Sequence, residues 1–165
     1  MGVRNCAEIG VNLHKIINRL LVNDDLVNLL YYTDKDPLSQ PILSDEQKKK
    51  EVFEKLIKIV PRIGPKETAH SLVAVRVANG RKDLENKEFR NISIIFDVFV
   101  PLTQWFLKDD NLRPFKILGE IEKSLNDKTI NGLGKMSGGD FDLNFLTEEV
   151  CCYTQKFEIT TYAWS

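Results

Sequence analysis

Leu72-Val73-Ala74-Val75-Arg76-Val77 and Ile92-Ser93-Ile94-Ile95-Phe96-Asp97-Val98-Phe99-Val100 are the two stretches that decide the fold. In the second, Ile92, Ile94, Phe96, Val98 and Val100 share one face and Ser93, Ile95, Asp97 and Phe99 the other, the period of two that belongs to a strand. In the first, Val73, Val75 and Val77 line up in the same way. Between them Asn79-Gly80-Arg81-Lys82-Asp83 is rich in turn residues, and with its continuation to Lys87 makes a connection of about ten residues. The whole predicts a long β-hairpin. Its returning arm has a second face that is only half polar. That arm is therefore either covered by helices on both sides or presents Ile95 and Phe99 to a neighbouring subunit.

Downstream, Pro101 closes the strand and residues 108–111 read as a turn. Trp105 and Phe106 read as core anchors. Pro114 suits the first turn of a helix, where a missing N–H costs nothing, and Ile117, Leu118, Ile121 and Leu125 then trace its buried stripe. Gly132, Gly134, Gly138 and Gly139 make residues 131–140 read as a flexible connector. A closing strand over 151–163 sets Cys151, Tyr153, Phe157 and Ile159 against Cys152, Thr154, Lys156 and Glu158.

Upstream, Ile9, Leu13, Ile16, Ile17, Leu20 and Leu21 recur at spacings that mark one stripe of an amphipathic helix. Asn23 is placed to cap a second helix, with Asp24 and Asp25 at its positive end. Asp34, Asp36, Pro37, Ser39 and Pro41 make 31–41 a surface loop. Ser44 and Gln47 fit a capping box, and the helical pattern runs to Lys55. Leu56, Ile57, Ile59 and Val60 then read as extended chain ending at Pro61, with 64–66 as a loop into the hairpin. The order of elements predicts an α+β fold: a small, mainly antiparallel sheet with a long hairpin, packed against N-terminal helices and one later amphipathic helix. One domain over residues 1–165 is expected.

Composition bounds the function. With 165 residues, 42% of them hydrophobic, the chain can bury a core without crosslinks or metal. Its 23 basic and 24 acidic residues nearly cancel, so no general field draws it to nucleic acid or an anionic membrane. Three cysteines, two of them adjacent, are not the framework of a small secreted domain and point to a reducing compartment. The start of the chain lacks an apolar signal core, and no uncharged apolar run reaches about 18 residues. A soluble, cytosolic protein that does not enter membranes is expected.

Tests for chemistry turn up little. Gly134-Lys135 resembles the end of a phosphate-binding loop, but that pattern needs a glycine where Thr129 stands and Ser or Thr where Met136 stands. Neither His14 nor His70 has a partner at a metal-binding spacing. Cys151 and Cys152 point to opposite faces of a strand, the first into the core and the second to a semi-exposed position. Helix capping and turn solvation account for Asp24-Asp25 and Asp109-Asp110 more simply than acid/base work does. No catalytic, cofactor-binding or metal residue is expected. Arg81 and Lys82 at the hairpin tip suit an acidic partner surface, with Arg76 and Arg90 extending the positive character, although ordinary solvation explains them as well.

N-terminal helices, a hairpin ending in Ile92 to Val100, a helix opened by Leu112-Arg113-Pro114, a Gly-rich segment and a terminal strand from Gln155 to Tyr162 together resemble the tail-terminator and neck proteins of tailed bacteriophages. The resemblance extends from about Val3 to Tyr162 and is carried by element order. The long insertion from Tyr31 to Ser44 departs from the compact members. The resemblance implies a subunit that closes into a ring, commonly a hexamer, on the last ring of the tail tube. It implies a virion protein assembled in the host cytoplasm, with tail tube protein, head connector or stopper, and its own copies as partners. DNA would only pass through the lumen, with no cofactor and no turnover. The candidate interface is then Arg81, Lys82, Ile95 and Phe99. A head-completion stopper or other neck adaptor is the alternative, and a small soluble enzyme a more distant one.

Overall fold

The computed structural model describes residues 7–59, 69–86, 89–131 and 133–162. Val60, Pro61, residues 64–66, Lys87, Gly132 and Ala163 in the readings above lie outside them. Helix α1 (Ala7–Leu21) buries Leu13, Ile16, Ile17 and Leu20, the stripe its spacing predicts. Helix α2 (Asp24–Tyr31) starts at Asn23, whose Oδ1 accepts from the Leu26 N–H at 3.0 Å. The same side chain donates to Glu120 Oε2 at 2.8 Å and to Ser124 Oγ at 2.9 Å in helix α4 (Arg113–Leu125), so one asparagine both caps a helix and ties two together.

Ser44 and Gln47 form the expected capping box, but the helix behind it is short. Helix α3 (Asp45–Gln47) widens into a π-turn at Lys48–Val52, and the helical run expected to reach Lys55 ends there. Val52, Leu56 and Ile57 are all buried, so the core takes the chain away from the helix axis. Glu54, at φ 60°, makes the turn into strand β1 (Ile57–Lys58).

Strands β2 (Leu72–Lys82) and β3 (Phe89–Pro101) form the hairpin, and it is longer than its periodicity predicts. A bulge at Ala78 shifts the alternation, after which Asn79, Gly80, Arg81 and Lys82 pair with Ser93, Ile92, Asn91 and Arg90. Arg81 and Lys82 are therefore strand residues, and the connection begins only after Lys82. Strand β6 (Val150–Tyr162) runs antiparallel to β3 along its whole length.

The larger correction concerns the supposed Gly-rich connector, since residues 134–140 lie within strand β5 (Gly134–Leu146), which pairs with β6 and receives the short β4 (Thr129–Ile130). Gly138, at φ +134°, sits at a bulge so close to β6 that an added Cβ would stand 2.7 Å from the Lys156 carbonyl oxygen. Glycine is there to let two strands approach, which composition alone does not distinguish from flexibility. The six strands run in the order β1-β2-β3-β6-β5-β4, antiparallel except for the β1–β2 pair. The fold is α+β.

The helices lie on one face of this sheet. Val73, Val75, Ile94, Phe96, Val98, Phe157 and Ile159 form one core with Ile16, Ile17, Leu20, Leu26, Leu30, Ile117 and Ile121. Phe96 and Phe157 meet edge to face at 5.5 Å across the β3–β6 pair. At the first turn of α4 the fully buried Arg113 fastens the layers together. Its Nη1 donates to the Leu29 carbonyl at 2.6 Å and the Tyr32 carbonyl at 2.8 Å, its Nε to the Gln104 carbonyl at 2.9 Å, and its Nη2 to the Asp34 carbonyl. These acceptors include carbonyls at the end of α2 that no helical N–H can reach. Burial pushes this guanidinium down to about 10.

Candidate interaction surface

Strand alternation that sends Phe96 and Val98 into the core sends Ile95, Asp97 and Phe99 to the other side. Among the described residues helices cover one face of this strand and not both, and Ile95 and Phe99 stand half-buried on the other. A string of polar bonds crosses this open face. Arg76 on β2 grips Asp97 on β3 through Nε at 2.6 Å and Nη2 at 3.2 Å. Thr154 on β6 donates to Asp97 Oδ1 at 2.7 Å, and Asn144 on β5 donates to Thr154 Oγ1 at 3.1 Å. Asp97 is only 5% exposed, so the forked contact with Arg76 is what makes a carboxylate tolerable in the middle of a strand. The Asp97 carboxylate in turn raises the Arg76 guanidinium above its ordinary value. Four strands are thus braced together on the face without helices.

Cys152 lies in this face and is fully buried, which corrects the semi-exposed position expected of it. Its neighbours in register are Phe99 and Phe145, whose rings stand 5.8 Å apart. Burial, with a smaller effect of the Asp97 charge, pushes the thiol up to about 12, and burial also raises Cys151. Both are poor nucleophiles.

The face ends in two strand edges that differ in charge. On β2, β1 pairs only with Val73 and Ala74. Beyond that contact Arg81 and Lys82 are exposed. On β5, β4 pairs only with Gly134 and Lys135, and Asp140 and Asp142 stand exposed beyond it. Phe141, Leu143 and Leu146 on β5 are about half exposed, and Phe115, Phe141 and Tyr153 form an aromatic cluster at its side. Phe106, expected in the core, is 65% exposed. With Leu102, Trp105, Leu143, Leu146 and Tyr153 it lines an apolar groove of about 420 Å³ instead.

Reactive constellations are few. His70 shares a hollow of about 320 Å³ with Tyr31, Glu51, Glu54 and Lys55. Among the described residues no group of His, Cys, Asp and Glu has a metal-binding arrangement, and no helix is long and apolar enough to cross a membrane. Asp109 is held low by Lys116, and Asp24, in the first turn of α2, is paired with Lys48. Gly134 and Lys135 lie in a strand, and the element that follows is strand β6. Sequence reasoning missed the Arg76–Asp97–Thr154–Asn144 string. The available signal was an acid at mid-strand with an arginine diagonal to it on the hairpin's other arm.

These surfaces belong to an α+β chain with a one-sided, mainly antiparallel sheet. The profile of the YomW family, a family of phage type, matches residues 23–159 of the 165, and the chain belongs to that family. No curated protein matches it.

Proposed function

We propose that the chain is a structural subunit of a phage neck, a tail terminator whose copies close into a ring, commonly a hexamer, on the last ring of the tail tube. The other side of that ring would face the head connector or stopper. The observation that carries this reading is the open face of the sheet, in a chain of a phage-type family: Ile95 and Phe99 stand half-buried on β3, a strand already braced by the buried Asp97 string. A rigid, partly apolar surface suits a permanent protein contact, because little entropy is lost in ordering it. On this reading the protein acts by binding and turns nothing over. It works in the virion, after assembly in the host cytoplasm, and touches DNA only as a lumen that DNA traverses. Near-neutral net charge suits such a passage, since strong phosphate binding would impede it.

The paired substitution Ile95→Asp and Phe99→Asp tests it. Assembly, read as mass by light scattering, is expected to be lost while circular dichroism keeps the native spectrum. Loss of the fold would assign both residues to the core and remove the main support for the reading.

A further inference from the structure

The open face leaves unspecified how one copy meets the next, and the two sheet edges supply an answer. Along β2-β3-β6-β5 each neighbour is antiparallel to the last, so β2 and β5 run in opposite directions. A second copy set beside the first in the same orientation places its β2 antiparallel to the first copy's β5, the ordinary geometry of a continuing sheet. Among the described residues both edges have unpaired lengths, β2 from Val75 onward and β5 from Asp140 onward, past the bonds that Met136 makes with Asp127 and Lys128 and Gly138 with Asn126.

Charge distinguishes the edges. Strand β2 carries Arg76, Arg81 and Lys82 and no acidic residue. From Met136 to Gln155, β5 and its turn carry Asp140, Asp142, Glu148 and Glu149 and no lysine or arginine. Arg76 and Arg81 share the open face with Asp140 and Asp142, since their partners in register, Ile95, Asn91, Lys156 and Thr154, all lie on it. Arg76, Ile95, Lys156 and Asp140 moreover form one row across the sheet. Translating a copy sideways without stagger therefore brings Asp140 beside the next copy's Arg76. An even stagger keeps the acids on the same face and slides them towards Arg81.

We infer that copies of this chain join head to tail, the acidic β5 edge of one pairing with the basic β2 edge of the next to continue the sheet from subunit to subunit. Like edges repel, so a two-fold dimer through β5–β5 or β2–β2 contacts is disfavoured and only the heterologous contact propagates, as a ring requires. The bulges of β5 at Gly138–Asp140 and Leu143–Phe145 restrict this edge to a strand of matching curvature, which guards against indiscriminate pairing. The inference rests on the ring reading and adds the contact that makes the ring.

A charge swap tests it. One variant carries Arg81→Glu and Lys82→Glu, so that both of its edges are acidic; the other carries Asp140→Lys and Asp142→Lys, so that both are basic. All four side chains are exposed, and circular dichroism checks the fold of each variant. Mass is read by light scattering, alone and with purified tail tubes as a template. The wild-type chain assembles, each variant by itself remains a monomer, and an equimolar mixture of the two recovers the wild-type mass with the variants alternating. If either variant assembles alone as well as wild type, or the folded mixture fails to recover, the edge pairing is wrong while the ring reading survives. A wild-type chain that stays monomeric even with tubes removes both.

Discussion

The two long hairpins of the sheet, β2–β3 and β5–β6, share their length and their antiparallel pairing but treat their apolar residues in opposite ways. In the first, Val73, Val75, Phe96 and Val98 are fully buried beneath the helices. In the second, β6 does the same with Phe157 and Ile159, while β5 leaves Phe141 49%, Leu143 53% and Leu146 60% exposed. The first hairpin is bulged once, at Ala78; the second is bulged twice on β5, with Gly138 and Gly139 at positive φ. One hairpin therefore holds the core and the other carries an acidic, apolar edge past it. Burial is concentrated where helices can reach, and material for contact lies at the margin.

Truncating the matched aromatics gives the largest expected contrast. Phe96→Ala removes a fully buried ring and is expected to lower unfolding free energy by about 3–5 kcal/mol in a denaturant titration. Phe141→Ala, half exposed on β5, is expected to cost no more than about 1.5 kcal/mol. Equal losses would mean that β5 is as much part of the core as β3.

Glycine substitutions sharpen the same contrast at the backbone. Gly138→Ala forces a Cβ against the Lys156 carbonyl at positive φ and is expected to destabilise by about 1–3 kcal/mol or more. Gly80→Ala on β2 meets nothing nearer than 3.7 Å and is expected to stay within about 1 kcal/mol of wild type. Thermal unfolding of the pair reads both.

A smaller effect tests how tightly β6 is covered on the open face. Burial raises the Cys152 thiol from an ordinary 9.0 to about 12, so the folded protein disfavours the thiolate that the unfolded chain forms readily. The resulting stability is complete below pH 9 and is lost as pH rises towards 12. Unfolding free energy should fall over that window, with a shallower slope in Cys152→Ala. Thiol reagents at pH 8 should leave Cys151 and Cys152 unlabelled in the native state and reach both in denaturant. The smallest effect is expected at the basic edge, where Lys82→Ala should alter folding stability by no more than about 0.5 kcal/mol.

Where one rule of local structure applied without interference, the sequence was legible. The α1 and α4 stripes, the Asn23 cap, the Ser44–Gln47 box and the inner face of β3 each depend on neighbours a few residues away, and each stands as expected. Strand β5 was not legible, because its glycines serve contact with β6 and its apolar residues alternate over bulges that break the period of two. Arg113 shows the same limit at one residue: its acceptors lie on α2, the loop after it and the Gln104 turn, all distant in sequence or hidden in irregular chain. Of the candidate surface, Ile95 and Phe99 followed from alternation, and Arg81 and Lys82 were located at the right end of the hairpin but in the wrong element. Asp140 and Asp142 went unnoticed because the strand that presents them did.

Electron microscopy of the chain mixed with purified phage tail tubes is the most direct test of a ring-forming neck subunit. A ring of density at one end of each tube, with free rings of the same symmetry in the background, is the predicted result. Bare tube ends beside a chain that remains monomeric would contradict it.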